Sequence, residues 1–154
     1  MDYYGSISSG YDELHSEEQR EKARLIMQNC PIGGLLLDVG AGTGSSTGLF
    51  SGKAECIALD PSLEMLKRFK GLKVAARAER LPFKNKSFDC VVSITALHHA
   101  DLGKAKAELE RVAKENASIA VSFFKRAQNF GPAKRLFSSF RQIDSEKDLV
   151  FARP

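Results

Sequence analysis

The sequence is poor in cysteine, with three residues, Cys30, Cys56 and Cys90, and none lies in a CxxC pair or beside a histidine cluster. An odd, widely spaced set excludes a disulfide framework and gives no zinc-ligand pattern. All three sit in apolar stretches, which reads as buried, reduced thiols in a cytoplasmic protein. No apolar run approaches the ~20 residues that span a bilayer. The first residues, MDYYGSISSG, are polar and do not read as a signal peptide. Internal repeats, low-complexity tracts and linkers are also missing, which leaves a chain of 154 residues most simply read as one domain.

What is present is an alternation of two periodicities in a chain 43% hydrophobic and 27% charged, with a net charge of +4. Ser16 to Cys30 reads as a helix, with Ser16 and Gln19 at capping-box spacing. Leu35–Val39 reads as a buried strand that breaks into glycines. A short helix follows at Thr47–Phe50, then a strand at Glu55–Leu59 ending on Asp60. Pro61 and Ser62 open a helix to about Lys70. Further strands are predicted at Lys73–Ala76, Phe88–Ile94 and Ser118–Phe124. The second of these is nearly all apolar and so is expected to be covered on both faces. Leu102, Ala105, Leu109, Val112 and Ala113 make a helical stripe, followed by a turn at Lys114–Ser118. Ala133, Leu136, Phe137 and Phe140 recur at helical spacing, predicting a helix over Pro132–Phe140. Arg141–Asp144 and Leu149–Ala152 are predicted strands joined by a polar turn at Ser145–Asp148. The expected fold is a doubly wound, mostly parallel α/β sheet with helices on both faces. Ligands in such sheets bind at the carboxyl ends of strands where the strand order reverses.

The stretch LLLDVGAGTGSS, Leu35 to Ser46, is where a ligand is expected. Gly40, Gly42 and Gly44 recur at alternate positions after a strand, and Asp38 stands just before them. A dinucleotide fingerprint GxGxxG fails in both frames, because Ser45 and Thr47 stand where the last glycine belongs. A pyrophosphate wants backbone amides and a helix N-terminus without a carboxylate beside them. A carboxylate there suits a cation. Asp38 has the alternative of capping the turn through its own backbone, and Asp60 that of capping the helix after Pro61.

The D-x-G-x-G-x-G turn, with an acidic residue closing the next strand, resembles class I S-adenosylmethionine-dependent methyltransferases. LDPSLEML (Leu59 to Leu66), AERLPFKNKSFDCVV (Ala78 to Val92), SITALHH (Ser93 to His99) and GYDELH (Gly10 to His15) resemble that family's further motifs. They are most similar to the subfamily that includes ubiquinone-biosynthesis methyltransferases. The resemblance spans roughly residues 10 to 124. It implies a Rossmann-like seven-strand sheet with S-adenosyl-L-methionine as cofactor. It places Asp38, Gly40, Ala41, Gly42 and Gly44 around the methionine part, and Asp60 with Pro61 at the ribose. Ala78 and Glu79 fall at the adenine, Ser93 at the end of the fourth strand, and Tyr11 in an N-terminal segment (residues 1–15) that closes over the methionine end. His98 and His99 are the titratable pair nearest the expected methyl group, with a structural role as the alternative; Tyr11 has the alternative of packing the first helix. Cys90, within a buried strand, is poorly placed as a nucleophile. No NPPY-like or DPPY-like sequence follows the fourth strand, which argues against the planar-amide and exocyclic-amine methyltransferases that carry it.

Two departures stand out. Arg77 occupies a position where the family often has an acidic residue, and KENAS (Lys114 to Ser118) replaces a common KPGG turn. The chain also has little room for a substrate lid. That, with the basic stretches Lys125–Arg141 and Lys67–Lys86, leads to the expectation of an RNA or protein acceptor and of a homodimer or partner subunit covering an open methyl face. Two other classes compete: a non-catalytic cofactor-binding subunit and a nucleotide-dependent oxidoreductase.

Overall fold

The computed structural model describes residues 9–154 of the chain, with side chains from Glu13 onward. Its elements are α1 (Ser9–Asn29), β1 (Leu35–Val39), α2 (Ser45–Phe50), β2 (Glu55–Asp60), α3 (Leu63–Leu66), β3 (Leu72–Ala75), β4 (Phe88–Ile94), α4 (Leu102–Val112), β5 (Ala113–Phe124), α5 (Phe130–Leu136), β6 (Arg141–Asp144) and β7 (Asp148–Arg153). The strands form one sheet in the order β3-β2-β1-β4-β5-β7-β6. The first five run parallel, and β7 pairs antiparallel with both β5 and β6. Strand order reverses between β1 and β4, so the crevice expected of this architecture opens beside the glycine turn.

Alternation along the central strands builds two cores. Leu36, Cys56, Cys90, Val92 and Ile94 face α1 and α2, with Ala23, Ile26 and Phe50. Leu37, Val39, Val91, Ile119, Val121, Phe123 and Phe151 face the other way, onto Ala105, Leu109 and Val112 of α4 and Phe137. This is why Leu35–Leu37 of β1, Cys90–Val92 of β4 and Ile119–Val121 of β5 are apolar throughout. Cys30, Cys56 and Cys90 are buried free thiols, and burial pushes each above the ordinary thiol range. Among the described residues no helix is long and apolar enough to cross a membrane.

Several boundaries differ from expectation, each for a local reason. Helix α1 already runs from Ser9, so Ser16 is interior and no capping box forms; the Gln19 amide instead donates to the Ile94 carbonyl at 3.2 Å. The helix after Ser62 is a single turn. Ser62 caps it by accepting from the Met65 amide, and Phe69 then folds under the glycine turn, packing with Ala41, Ala58 and Leu66. Helix α5 starts two residues before Pro132 and stops at Leu136. Pro132 therefore sits in its first turn, where a missing N–H costs nothing. Residues Lys114–Ala117 are a bulge in β5: Phe88 faces Ala113, but Cys90 faces Ser118. With no glycine to end α4, Ala113 turns directly into extended backbone (φ −80°, ψ 138°). Asp148, expected in a polar turn, is the buried first residue of β7.

Candidate functional site

The glycine turn hangs on the end of β2. The amides of Gly40 and Ala41 both donate to the Leu59 carbonyl, at 2.7 and 2.9 Å, and the Gly44 amide donates to Ala41. Gly40, Gly42 and Gly44 all have positive φ, at 77°, 59° and 83°. Two of them are also required by packing. A Cβ on Gly40 would lie 2.2 Å from the Ala96 Cβ, and one on Gly44 2.4 Å from the Phe69 ring. Gly42 differs. Among the described residues a Cβ there meets only the Met65 methyl, at the ordinary distance of 3.5 Å. The described residues therefore do not close off the backbone at Gly42 as they do at Gly40 and Gly44.

Asp38 is the next-to-last residue of β1, two positions before Gly40, and is 1% exposed. Its Oδ2 accepts from the Thr47 hydroxyl at 2.7 Å and the Ser46 hydroxyl at 3.1 Å, both from the first turn of α2. Its Oδ1 is buried and, among the described residues, has no hydrogen-bond partner. Burial pushes the carboxyl up to about 6, against the pull of the two hydroxyls and with a further push from Asp60. An orphaned buried carboxylate oxygen is costly, and native structures keep such groups where a ligand completes them. A cation is the complement its chemistry asks for. The Asx alternative does not describe it, because its recorded partners are side chains of α2. Ser46 and Thr47 were not singled out from the sequence, although two hydroxyl residues directly after the third glycine are a readable cue.

Asp60 stands at the end of β2, across the turn. Its Oδ2 accepts from the Gly42 amide at 3.0 Å and its Oδ1 from the Ser62 amide at 2.8 Å. Each oxygen takes one backbone donor and keeps a lone pair for a second. Ser62, and not Asp60, caps α3 with its side chain. Pro61 is exposed beside it, while Ala78, past the end of β3, is nearly buried. Glu79 accepts from the Asp101 amide at 3.3 Å, joining that segment to the start of α4. Ser93 is fully buried, and its hydroxyl donates to the Val39 carbonyl at 2.8 Å. It ties β4 to β1 inside the sheet and presents no surface to a ligand. The Tyr11 side chain lies outside the described residues.

His98 and His99 follow β4 on an exposed turn before α4, their rings 4.4 Å apart. Burial, then the neighbouring His99 charge, holds His98 below the ordinary imidazole range, against a hydrogen bond with the Thr95 backbone. This favours the neutral imidazole, the form that can accept a proton. The carbonyl of the preceding Leu97 is held by the Asn129 amide at 3.1 Å.

Thr95, directly after β4, was also missed. It takes φ +48° and sits on a buried polar cluster with Lys22, Ser122 and Asp148. On its far side a cavity of about 400 Å³ opens between α1 and the β6–β7 turn, with Leu25 and Phe124 among its lining residues. The β4 end thus has the glycine turn on one flank, through Ala96, and this cavity on the other.

Residues 37–121 match a family described as the methyltransferase domain. The chain is 36% identical to an uncharacterised protein of Methanocaldococcus jannaschii, across 99% of this chain and 68% of that protein. It is 32% identical to the demethylmenaquinone methyltransferase of Thermobifida fusca, across 79% of this chain but only 59% of that enzyme. A solved structure of a Pyrococcus horikoshii protein shares the fold, with a TM-score of 0.76 and 17% identity over 99% of this chain and 97% of that one. A broken dinucleotide fingerprint and a buried carboxylate before the glycines do not fit a pyrophosphate cofactor. The chain belongs to the methyltransferase domain family, as a class I S-adenosylmethionine-dependent methyltransferase domain.

Proposed function

We propose that this chain carries a methyl group from S-adenosylmethionine to an acceptor that enters over the carboxyl ends of β4 and β5. The observation that carries this reading is the buried Oδ1 of Asp38, which among the described residues has no hydrogen-bond partner. When bound, the cofactor supplies a methyl group already activated on a positive sulfonium. Asp38 holds the ammonium of its methionine part, and the remaining lone pairs of Asp60 accept the two ribose hydroxyls. Ala78 and Glu79 line the adenine end. The protein's contribution to rate is chiefly to hold nucleophile and methyl in line. His98, favoured in its neutral form, takes a proton where the acceptor must lose one.

For the acceptor we favour a macromolecule. Arg126, Lys134 and Arg135 are exposed on and before α5, beside the end of β5. Lys125 and Arg141 of the same stretch are engaged, by Asp144 at 2.7 Å and by Asn29 at 2.9 Å. Of the second basic group, Lys67–Lys86, the members from Lys67 to Arg80 lie around β3 at one edge of the sheet, and β6 lies at the other. The two groups therefore act separately. Incubation with cofactor labelled on the methyl group and size-fractionated cell extract tests this. Label is expected in the macromolecular fraction, weakened by added salt if that fraction is RNA. Label confined to small molecules overturns the macromolecular acceptor and leaves the cofactor reading in place.

A further inference from the structure

We propose that Lys22, Asp148 and Thr95 are positioning residues for methyl transfer: their buried polar cluster holds the end of β4 in a left-handed turn that seats Ala96 against Gly40, behind the cofactor. This rests on the reading that S-adenosylmethionine occupies the glycine turn.

A threonine at φ +48° is a conformation that a β-branched residue rarely adopts. Such a residue persists only where its surroundings over-determine it, and here they do. Its amide donates to both the carbonyl and the hydroxyl oxygen of Ser122, at 3.1 and 2.9 Å. Its hydroxyl donates to Asp148 Oδ2 at 2.6 Å and accepts from Lys22 Nζ at 2.9 Å. Lys22 Nζ and Asp148 Oδ2 are 3.1 Å apart, with side chains 13% and 1% exposed. Gln19, one turn earlier on α1, accepts from Lys22 at 3.4 Å and donates to the carbonyl of Ile94. Side chains from α1, β5 and β7 thus converge on one backbone angle.

The consequence lies one residue further on. Ala96 occupies the place a side chain on Gly40 would need, so the β4 end and the glycine turn are fitted together. If Thr95 relaxes toward extended or right-handed backbone, Ala96 leaves Gly40 and the cofactor's turn loses its backing. A buried ion pair is weak evidence for stability, since apolar side chains often serve as well. What apolar side chains cannot do is fix a hydroxyl from two sides. That directional grip is what a strained threonine requires.

Glycine adopts the same φ without strain, so it makes the grip dispensable, and this supplies the test. S-adenosylhomocysteine affinity by calorimetry and melting temperature are measured on wild type, Asp148→Asn, Thr95→Val, Thr95→Ser, Thr95→Gly and the double variant Thr95→Gly/Asp148→Asn. Asp148→Asn and Thr95→Val are expected to weaken binding about tenfold or more, and Thr95→Ser to keep it within about twofold. Asp148→Asn introduced into Thr95→Gly should change affinity by less than about threefold, a non-additivity that marks coupled sites. The proposal is overturned if Asp148→Asn and Thr95→Val lower the melting temperature while affinity stays at wild type. It is also overturned if Asp148→Asn weakens binding equally in both backgrounds. Should Asp148→Asn not fold, the Thr95 series alone decides. Absence of binding by the wild type would instead contradict the cofactor reading.

Discussion

Asp38 and Asp148 are both aspartates and both 1% exposed, one next to last in β1 and the other first in β7. The protein treats them in opposite ways. Asp148 has an ammonium at 3.1 Å and a hydroxyl at 2.6 Å, so its charge is matched within the fold. Among the described residues Asp38 has two hydroxyls on one oxygen, no hydrogen-bond partner on the other, and no ion pair. A buried carboxylate that the chain itself neutralises is part of the scaffold. One that the chain leaves short of a cation is a place kept for something else. The contrast between the pair is visible in the structure without appeal to resemblance.

Breaking each side of this comparison should give a different signature. The largest effect is expected from Gly42→Val. Among the described residues its Cβ would meet only the Met65 methyl, but the backbone stands at φ +59°, where a β-branched residue is strained, so the fold should lose roughly 1–3 kcal/mol. Binding of S-adenosylhomocysteine should fall more than about 100-fold, beyond calorimetric detection. Unchanged binding would remove the turn from the site. Next comes Lys22→Met, which strands Asp148 without its cation. Breaking a buried pair costs roughly 3–5 kcal/mol, or a melting temperature lower by about 10 °C for a chain of this size. A drop of a degree or two would show the pair to be incidental. Asp60→Ala should keep the fold and weaken cofactor binding by roughly 10- to 150-fold, the range for a charged hydrogen-bond partner; wild-type affinity would mean the ribose lies elsewhere.

Asp38→Asn gives the smallest and most telling change, because two readouts should move in opposite directions. The folded carboxyl is raised from 3.8 to about 6, so the fold prefers it protonated. Between those values the native state holds a proton that the unfolded state has released. Stability contributed by this group is therefore greatest at low pH, falls as pH climbs through about 6, and stays low above it. Asparagine removes that penalty. The variant should melt higher than wild type at pH 7 and lose the advantage below about pH 4, while binding the cofactor more weakly at pH 7. A variant that melts lower than wild type at both pH values would show that the Asp38 carboxylate stabilises the fold.

The architecture was largely readable because parallel strands covered on both faces leave runs such as Leu35–Val39 and Phe88–Ile94, and because glycines at positions 40, 42 and 44 have few other uses. Element ends were less readable where packing overrode local cues. Phe69 cuts α3 short to fill the space under Gly44, and the helix carrying Ser16 runs on past its apparent cap. At the site, Asp38 and Asp60 could be picked out because a carboxylate at a strand end before a glycine turn is chemically pointed. Ser93 matched a motif, yet its hydroxyl serves Val39 inside the sheet. Thr95, Lys22 and Asp148 left no signal at all. Residue 22 looked like one more helix lysine and residue 148 like one more turn aspartate, and only the folded sheet brings them together.

The central claim is that Asp38 is the counter-charge the fold holds ready for a cationic cofactor. Calorimetric titration of S-adenosylhomocysteine into wild type and Asp38→Asn at pH 5 and pH 7 tests it most directly. With the carboxyl near 6, its ionised fraction changes about tenfold across that interval. Wild-type affinity should rise about tenfold from pH 5 to pH 7 while the affinity of Asp38→Asn stays level. Equal wild-type affinities at the two pH values, or the same rise in both proteins, would contradict the claim.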